Sequence, residues 1–387
     1  MNPSTVPYGR LSAFYFFYFA TLGAFLPYWG LYLKGLGYSA LEIGTVLALL
    51  SATKVVAPNI LGWLADHSGR RITWIRWTCL LAAGLFLGIF EVHGYREMLL
   101  LTTAFGMFWS AALSQFEAVT LAHLGGNSRH YPWVRLWGSL GFIAAVLGLG
   151  FALERFAIGF LPQVLTVLLW LIWMVSLMVP EAKFRAHFTD STPTWWPLLW
   201  RKEVIAFLLV VFLAQAAHGP YYVFYSIHLK ALDYSGRWIG MLWTLGVVAE
   251  IVLFLLLPRL FHFLSPRALL LAGVGLGSVR WLAIGWYAHV FWVLLAAQVL
   301  HAATFAATHA AAMQLLPRYF GQAHQGKGQA LYSSLSFGLG SMAGSYAAGM
   351  FWDQAGAPVV FAGAAVTCLL ALSIALRWVW GYGALSQ

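Results

Sequence analysis

Residues Gly62–Arg71 read GWLADHSGRR, a polar turn with one acid, two glycines and paired arginines. It separates two apolar runs, Leu41–Leu64 and Ile72–Val92, each long enough to cross a bilayer. Spans joined by so short a polar connection must both end at one membrane face. Gly62 and Gly69 suit close packing and a sharp turn. Asp66 is placed to accept from a helix terminus or to pair with an arginine. Arg70 and Arg71 hold the turn on the cytoplasmic side.

Composition carries this reading outward from the turn. Of 387 residues, 61% are hydrophobic and 9% charged, more apolar surface than a soluble domain can hide, so lipid is the solvent. The formal charge of +10 is spread over short loops with no basic–aromatic module, which argues against a nucleic-acid partner. Cys79 and Cys368 both lie in apolar runs, which argues against a disulfide framework or a metal site. The first run, Leu11–Leu33, is too long for a cleaved signal and reads as the first span.

Apolar runs fall at 11–33, 41–64, 72–92, 97–121, 134–156 and 159–179, then at 204–229, 238–260, 266–288, 290–316, 328–351 and 356–380. The predicted fold is an all-α integral membrane protein of twelve spans. An N-terminal six-helix bundle (1–180) and a C-terminal one (204–387) flank a cytoplasmic linker, 181–203, which carries Glu181, Lys183, Arg185, Asp190, Arg201, Lys202 and Glu203. With the N-terminus inside, the cytoplasmic segments hold thirteen basic residues, among them Arg10, Arg129, Arg259, Arg267, Arg318, Lys327 and Arg377. The external loops hold five: Lys34, Arg96, Arg155, Lys230 and Arg237. That excess places both termini in the cytoplasm.

The halves repeat. LKGLGYSALEIG (33–44) matches LKALDYSGRWIG (229–240) at seven of twelve positions with an offset of 196, and RLWGSLGF (135–142) matches ALYSSLSF (330–337) at four of eight. Two matches at nearly one spacing indicate duplicated six-helix halves with a site between them at mid-membrane. In the second copy of the opening turn, Pro258, His262, Ser265, Pro266 and Arg267 stand where Gly62, Asp66, Gly69, Arg70 and Arg71 stand in the first. Only the last arginine survives.

Charges inside spans mark candidate function, because each costs ~2.5–3.5 kcal/mol at the bilayer centre on insertion scales. Lys54, Glu117, Glu250 and Arg280 lie well inside. The repeat offset carries Lys54 onto position 250, so an ammonium and a carboxylate occupy matching places in the two halves. Glu117 lies on a polar stripe with Ser110, Ser114 and Thr120, and is placed to pair with Arg135 of the next span. Glu250 is placed to pair likewise with Arg280. Such pairs have two readings, as helix locks or as functional charges. Polar stripes in span 7 (Gln215, His218, Tyr222, Tyr225) and span 10 (Gln298, His301, Thr304, Thr308, with His309 at the edge) read as cavity walls. Tyr28 belongs to an aromatic-dense first span that suits a flat ligand. Pro27 and Pro58 permit bending, and the glycines of spans 5 and 11 permit close helix contact. No P-loop, HExxH or GxSxG motif is present, so neither ATP-driven transport nor an enzyme is expected.

The opening turn resembles the loop between helices 2 and 3 of the major facilitator superfamily, roughly G-x-L-A-D-x-x-G-R-[RK], at Gly62, Leu64, Ala65, Asp66, Gly69, Arg70 and Arg71. PYWGLYLKGLGYS (27–39), APNILGWLADHSGRR (57–71) and RLWGSLGF (135–142) are more narrowly similar to the 3-phenylpropionate permease family, near the oligosaccharide and nucleoside proton symporters. The resemblance covers the N-terminal half well and the C-terminal half mainly through spacing. It implies proton symport of a small aromatic organic acid across the cell inner membrane by alternating access.

By the same resemblance, Glu117 with Arg135, and Glu250 with Arg280 and a span-10 histidine, look like the polar constellation of sugar–proton symporters. The departure is that span 10 has no carboxylate beside its histidines. The expected roles follow. Lys54, Tyr28, Tyr222, His218, Arg280 and His301 bind substrate. Glu250, Glu117 and Arg135 couple protons. Gly62, Asp66, Gly69, Arg70 and Arg71 form a gate. No cofactor is expected beyond the coupling proton; the partners are a small-molecule substrate and the bilayer, and the chain is expected to act as a monomer. A sugar or nucleoside symporter is the alternative, and a membrane assembly factor without transport the more distant one.

Overall fold

The computed structural model describes residues 6–125, 130–182 and 194–379. Lys183, Arg185 and Asp190 of the linker and Arg129 lie outside them. Nine apolar helical stretches come first: α1 Tyr8–Gly35, α2 Ala40–Ser68, α3 Arg71–Glu91, α4 Tyr95–Leu124, α5 Tyr131–Ala152, α6 Ile158–Met178, α7 Lys202–Ala231, α8 Gly236–Phe263 and α9 Pro266–Tyr287. The last helical stretch, Phe291–Trp378, breaks twice. Gly321 (φ 69°, ψ 166°) and Gly356 (φ 74°, ψ 173°) hold left-handed, extended backbone that other residues rarely adopt. They separate α10 (291–320), α11 (322–355) and α12 (357–378). Twelve spans result among the described residues. Within the linker, Trp196–Leu199 forms one short helical turn.

Contacts group the chain into two units. One comprises Met1–Tyr38, Ala52–His187 and Ser235–Met241; the other comprises Ser39–Ser51, Phe188–Tyr234 and Leu242–Gln387. The start of α2 therefore packs with C-terminal helices, and the start of α8 with N-terminal ones.

In the first unit α1 lies directly on α5. A Cβ at Gly141 would come 2.1 Å from the Phe16 carbonyl oxygen, so only glycine admits this approach. The Tyr28 hydroxyl donates to Val146 O at 2.7 Å. The first turn of α8 closes on the same end of α5: Ser235 Oγ donates to Glu154 Oε1 at 3.1 Å, and a Cβ at Gly240 would meet Val146 O at 2.9 Å. Arg76 donates to the Ser176 and Val179 carbonyls at the end of α6, satisfying acceptors that a helix terminus leaves open.

The second unit repeats the scheme. A Cβ at Gly344 of α11 would come 2.0 Å from Ala216 O of α7. Arg267 donates to Leu376 O and Val379 O at the end of α12. The start of α2 packs on α11, where a Cβ at Gly44 would meet Gly349 Cα at 2.7 Å. Ser39 and Glu42 form a reciprocal capping box there, and the Ala40 N–H donates to Asp353 Oδ2 at 2.8 Å. Gly44 and Gly240, matched in the sequence repeat, thus each stand at a close crossing of helices.

Candidate functional site

The opening turn folds as a knot of hydrogen bonds in the first unit. Gly69 takes φ 66°, the left-handed value that lets α2 end and α3 begin within two residues. Asp66 pairs with Arg71, whose guanidinium also donates to Gln115 Oε1 of α4. Gly62 makes room for that bridge, since its Cβ would stand 3.2 Å from Gln115 Nε2. The Glu181 carboxylate accepts from the Ile72 N–H at 3.1 Å, capping α3. Arg70 donates its backbone N–H to Ser68 Oγ. Asp66 thus binds Arg71, the first residue of α3, and not Arg70.

Glu117 and Arg135 do not come within salt-bridge distance, a correction to the pairing read from the sequence. The Arg135 guanidinium lies 3.8 Å from the centre of the Phe19 ring and 5.7 Å from that of Tyr15, a cation–π arrangement that replaces the ion pair. Glu117 feels the charge of Arg135 at longer range. Lys54 has an exposed side chain and makes no hydrogen bond or ion pair, while its neighbour Thr53 is buried and bonds Ser110 Oγ at 2.9 Å. Tyr28 is fully buried with its hydroxyl spent on α5, so it serves a helix contact.

The second unit holds the main concentration of buried polar groups. α7 is interrupted at Ala217 and His218, just before Pro220, which supplies no backbone donor. α10 widens into a π-helical turn over Ala302–Ala307, and α11 does so over Ser334–Gly340. Around these irregular turns cluster His218, Tyr221, Tyr222 and Tyr225 of α7, Arg280 and Trp281 of α9, and Gln298, His301 and Thr304 of α10.

Arg280 has no exposed surface. Its Nε donates to Ala297 O at 2.9 Å and its Nη1 to Thr304 Oγ1 at 3.1 Å, while Nη2 has no hydrogen-bond partner. The rings of Tyr221 and Trp281 each lie 4.4 Å from its central carbon. The expected Arg280–Glu250 pair is again replaced: Glu250 Oε2 lies 3.8 Å from His301 Nε2. The reason is local. A carbonyl and a hydroxyl beside the π turn of α10 hold the guanidinium against two aromatic faces.

His218 Nδ1 bonds Ala214 O, leaving Nε2 without a partner, as is His301 Nδ1. Gln298, fully buried, bridges two hydroxyls: Oε1 accepts from Tyr221 at 3.0 Å, and Nε2 donates to Tyr225. A neighbouring cavity is lined by His218, Thr304, Phe305, His309, Tyr332 and Phe337, among others, and His309 Nδ1 lies 2.9 Å from the Tyr332 hydroxyl.

Of the residues expected to bind substrate, the structure brings together His218, Tyr222, Arg280 and His301, with Glu250 beside them. Sequence reasoning left out Tyr221, Trp281, Gln298 and Thr304 as site residues. Gln298 and Thr304 already stood on the span-10 stripe. Tyr221 lies three residues after His218 and four before Tyr225, on the same helical face. Trp281 carried no signal beyond adjacency to Arg280.

Apolar spans that carry buried, partly unspent polar groups suit a membrane transporter, and the comparisons with known proteins agree. The chain belongs to the MFS_1 like family, whose model matches residues 8–362. It is 30% identical over 335 residues to the "Probable 3-phenylpropionic acid transporter" of Escherichia coli K12, covering 85% of this chain and 86% of that one. It is 26% identical to the maltose permease of Geobacillus stearothermophilus, over 85% of this chain and 83% of that one. The nucleoside transporter NupG, in a crystal structure of its D323A mutant, shares the fold with a TM-score of 0.85 at 15% identity, covering 96% of this chain and 99% of that one.

Proposed function

We propose that this transporter is a proton-coupled symporter that takes up a small aromatic organic acid, 3-phenylpropionate-like, by alternating access. It would lie in the cell inner membrane with both termini cytoplasmic. The observation that carries the reading is Arg280. A guanidinium without exposed surface needs an anion, since a buried charge lacking its partner costs about 3–5 kcal/mol. Among the described residues no carboxylate stands within salt-bridge distance of it, and Nη2 is unspent. An arriving substrate carboxylate supplies the missing charge, and the faces of Tyr221 and Trp281 flank the place where it docks.

Glu250 beside His301 is the favoured proton site. A carboxylate and an imidazole 3.8 Å apart share a charge that the approach of an anion perturbs. The sugar or nucleoside reading draws on one specific feature, the hydrogen-bonding stripe of Gln298, Tyr221 and Tyr225, which suits hydroxyls.

Uptake of labelled 3-phenylpropionate, maltose and a nucleoside into proteoliposomes, with and without an imposed proton gradient, separates these. Accumulation of the acid alone, driven by the gradient, is expected. Gradient-driven maltose or nucleoside accumulation without uptake of the acid overturns the reading.

A further inference from the structure

Of the paired arginines in the opening turn, one is spent and the other is not. Arg71 meets Asp66 and Gln115. Arg70 bonds only through its backbone N–H, to Ser68 Oγ, and its exposed guanidinium has no partner among the described residues. The nearby acids are already committed, Asp66 to Arg71 and Glu181 to the Ile72 N–H. One positive charge is therefore left over at the start of α3.

That charge stands at the end of a groove of about 480 Å³, lined by Ser68, Arg70, Thr73, Trp74, Trp77 and Leu81. Steps of three and four residues keep Thr73, Trp74, Trp77 and Leu81 on one face of α3. The polar end is held in place. Ser68 Oγ donates to Ala65 O at 3.3 Å and accepts from Trp74 Nε1 at 2.8 Å. Trp74 packs inward on buried Ala57, Leu61 and Ala111, so its ring is a fixed wall. The Thr73 hydroxyl, by contrast, makes no hydrogen bond among the described residues. The far end is apolar, with Trp77 55% and Leu81 42% exposed. On a membrane span such surfaces meet acyl chains.

The groove thus changes from charged to apolar along the helix. Trp77 follows Arg70 by seven residues, about 10 Å of helix axis, against a headgroup layer ~5–8 Å deep. We propose that this groove binds an anionic phospholipid. The headgroup phosphate meets the Arg70 guanidinium, whose fork matches two phosphate oxygens, and the Thr73 hydroxyl. An acyl chain lies along Trp77 and Leu81. A zwitterionic lipid brings an ammonium with its phosphate and compensates the leftover charge less. A free phosphate ion leaves the apolar wall unused. The site is separate from the buried polar cluster of the second unit and does not depend on which substrate is carried.

The test is titration of the purified full chain in detergent with dioleoylphosphatidylglycerol and with dioleoylphosphatidylcholine, read by native mass spectrometry. Wild type is expected to bind the first phosphatidylglycerol about fivefold more tightly than phosphatidylcholine, the scale of one arginine at an anionic surface. Arg70→Gln is expected to remove that preference. Trp77→Ala is expected to weaken both lipids severalfold and to keep the preference; it carries the test if Arg70→Gln fails to fold. Arg259→Gln removes another exposed arginine, near the end of α8, and is expected to change neither affinity. No preference in wild type, an undiminished preference in Arg70→Gln, or an equal loss in Arg259→Gln overturns the site. Unchanged affinities in Trp77→Ala overturn it as well. Displacement of the lipid by an equal concentration of inorganic phosphate overturns the lipid in favour of a free anion.

Discussion

The Asp353 carboxylate in α11 accepts a hydrogen bond from the Ala40 N–H in the first turn of α2, at 2.8 Å and across 313 residues of chain. It ties the start of α2 to α11 beside the Gly44–Gly349 crossing. Glu154 does the corresponding work, accepting from Ser235 Oγ ahead of the first turn of α8. The two acids sit at matching ends of the repeated helices, and each ties a helix start to a helix distant in sequence. Loss of a capping carboxylate costs about 0.5–2 kcal/mol, so Asp353→Ala should shift the population of the closed contact by roughly two- to thirty-fold. Spin labels at Leu41 and Met350, both exposed, read this as a longer distance between α2 and α11. An unchanged distance distribution contradicts the role.

Asp66→Asn breaks the Asp66–Arg71 pair while leaving the Arg71–Gln115 bond. The Asp66 side chain is 61% exposed, so the thermal midpoint should scarcely move, in line with the ~0–1 kcal/mol of a surface pair. Transport should fall severalfold while substrate affinity stays within a few fold, because the bond biases conformation and does not touch ligand. Normal transport by the variant reduces the turn to a topological signal.

Much of this fold was legible because lipid imposes a simple rule: long apolar runs become helices, and the polar turn at Gly62–Arg71 ends two of them. The repeat likewise aligned 33–44 with 229–240, the segments whose last glycines, Gly44 and Gly240, stand at close helix crossings. Side-chain partners were less legible. Spacing put Glu117 near Arg135 and Glu250 near Arg280 at similar depth, but not which way the arginines turn. Aromatic faces at Phe19 and at Tyr221 with Trp281, and acceptors beside the π turn of α10, took the guanidiniums instead. A π turn leaves little trace in hydropathy, so the acceptors it offers Arg280 stayed hidden.

Lys54→Ala should weaken binding of an acid by about tenfold and of its neutral amide far less, since a charged contact is worth about 1.5–3 kcal/mol. Lys54→Arg should recover part of the loss, because a planar fork does not replace a compact ammonium. Equal losses for acid and amide exclude Lys54 from anion recognition.

Glu250→Gln removes the titratable carboxylate beside His301 and keeps most of its hydrogen-bonding shape. Gradient-driven accumulation should vanish, while exchange of labelled for unlabelled substrate continues. Retained accumulation transfers proton coupling to Glu117 or to a histidine.

The most direct measurement is calorimetric titration of the purified protein and its Arg280→Gln variant with 3-phenylpropionate, maltose and a nucleoside. The wild type is predicted to bind the acid alone, and the variant to lose at least about tenfold in affinity, the cost of one unpaired charged hydrogen bond. Binding of maltose or the nucleoside by the wild type, or undiminished acid binding by Arg280→Gln, would contradict an anion site at Arg280.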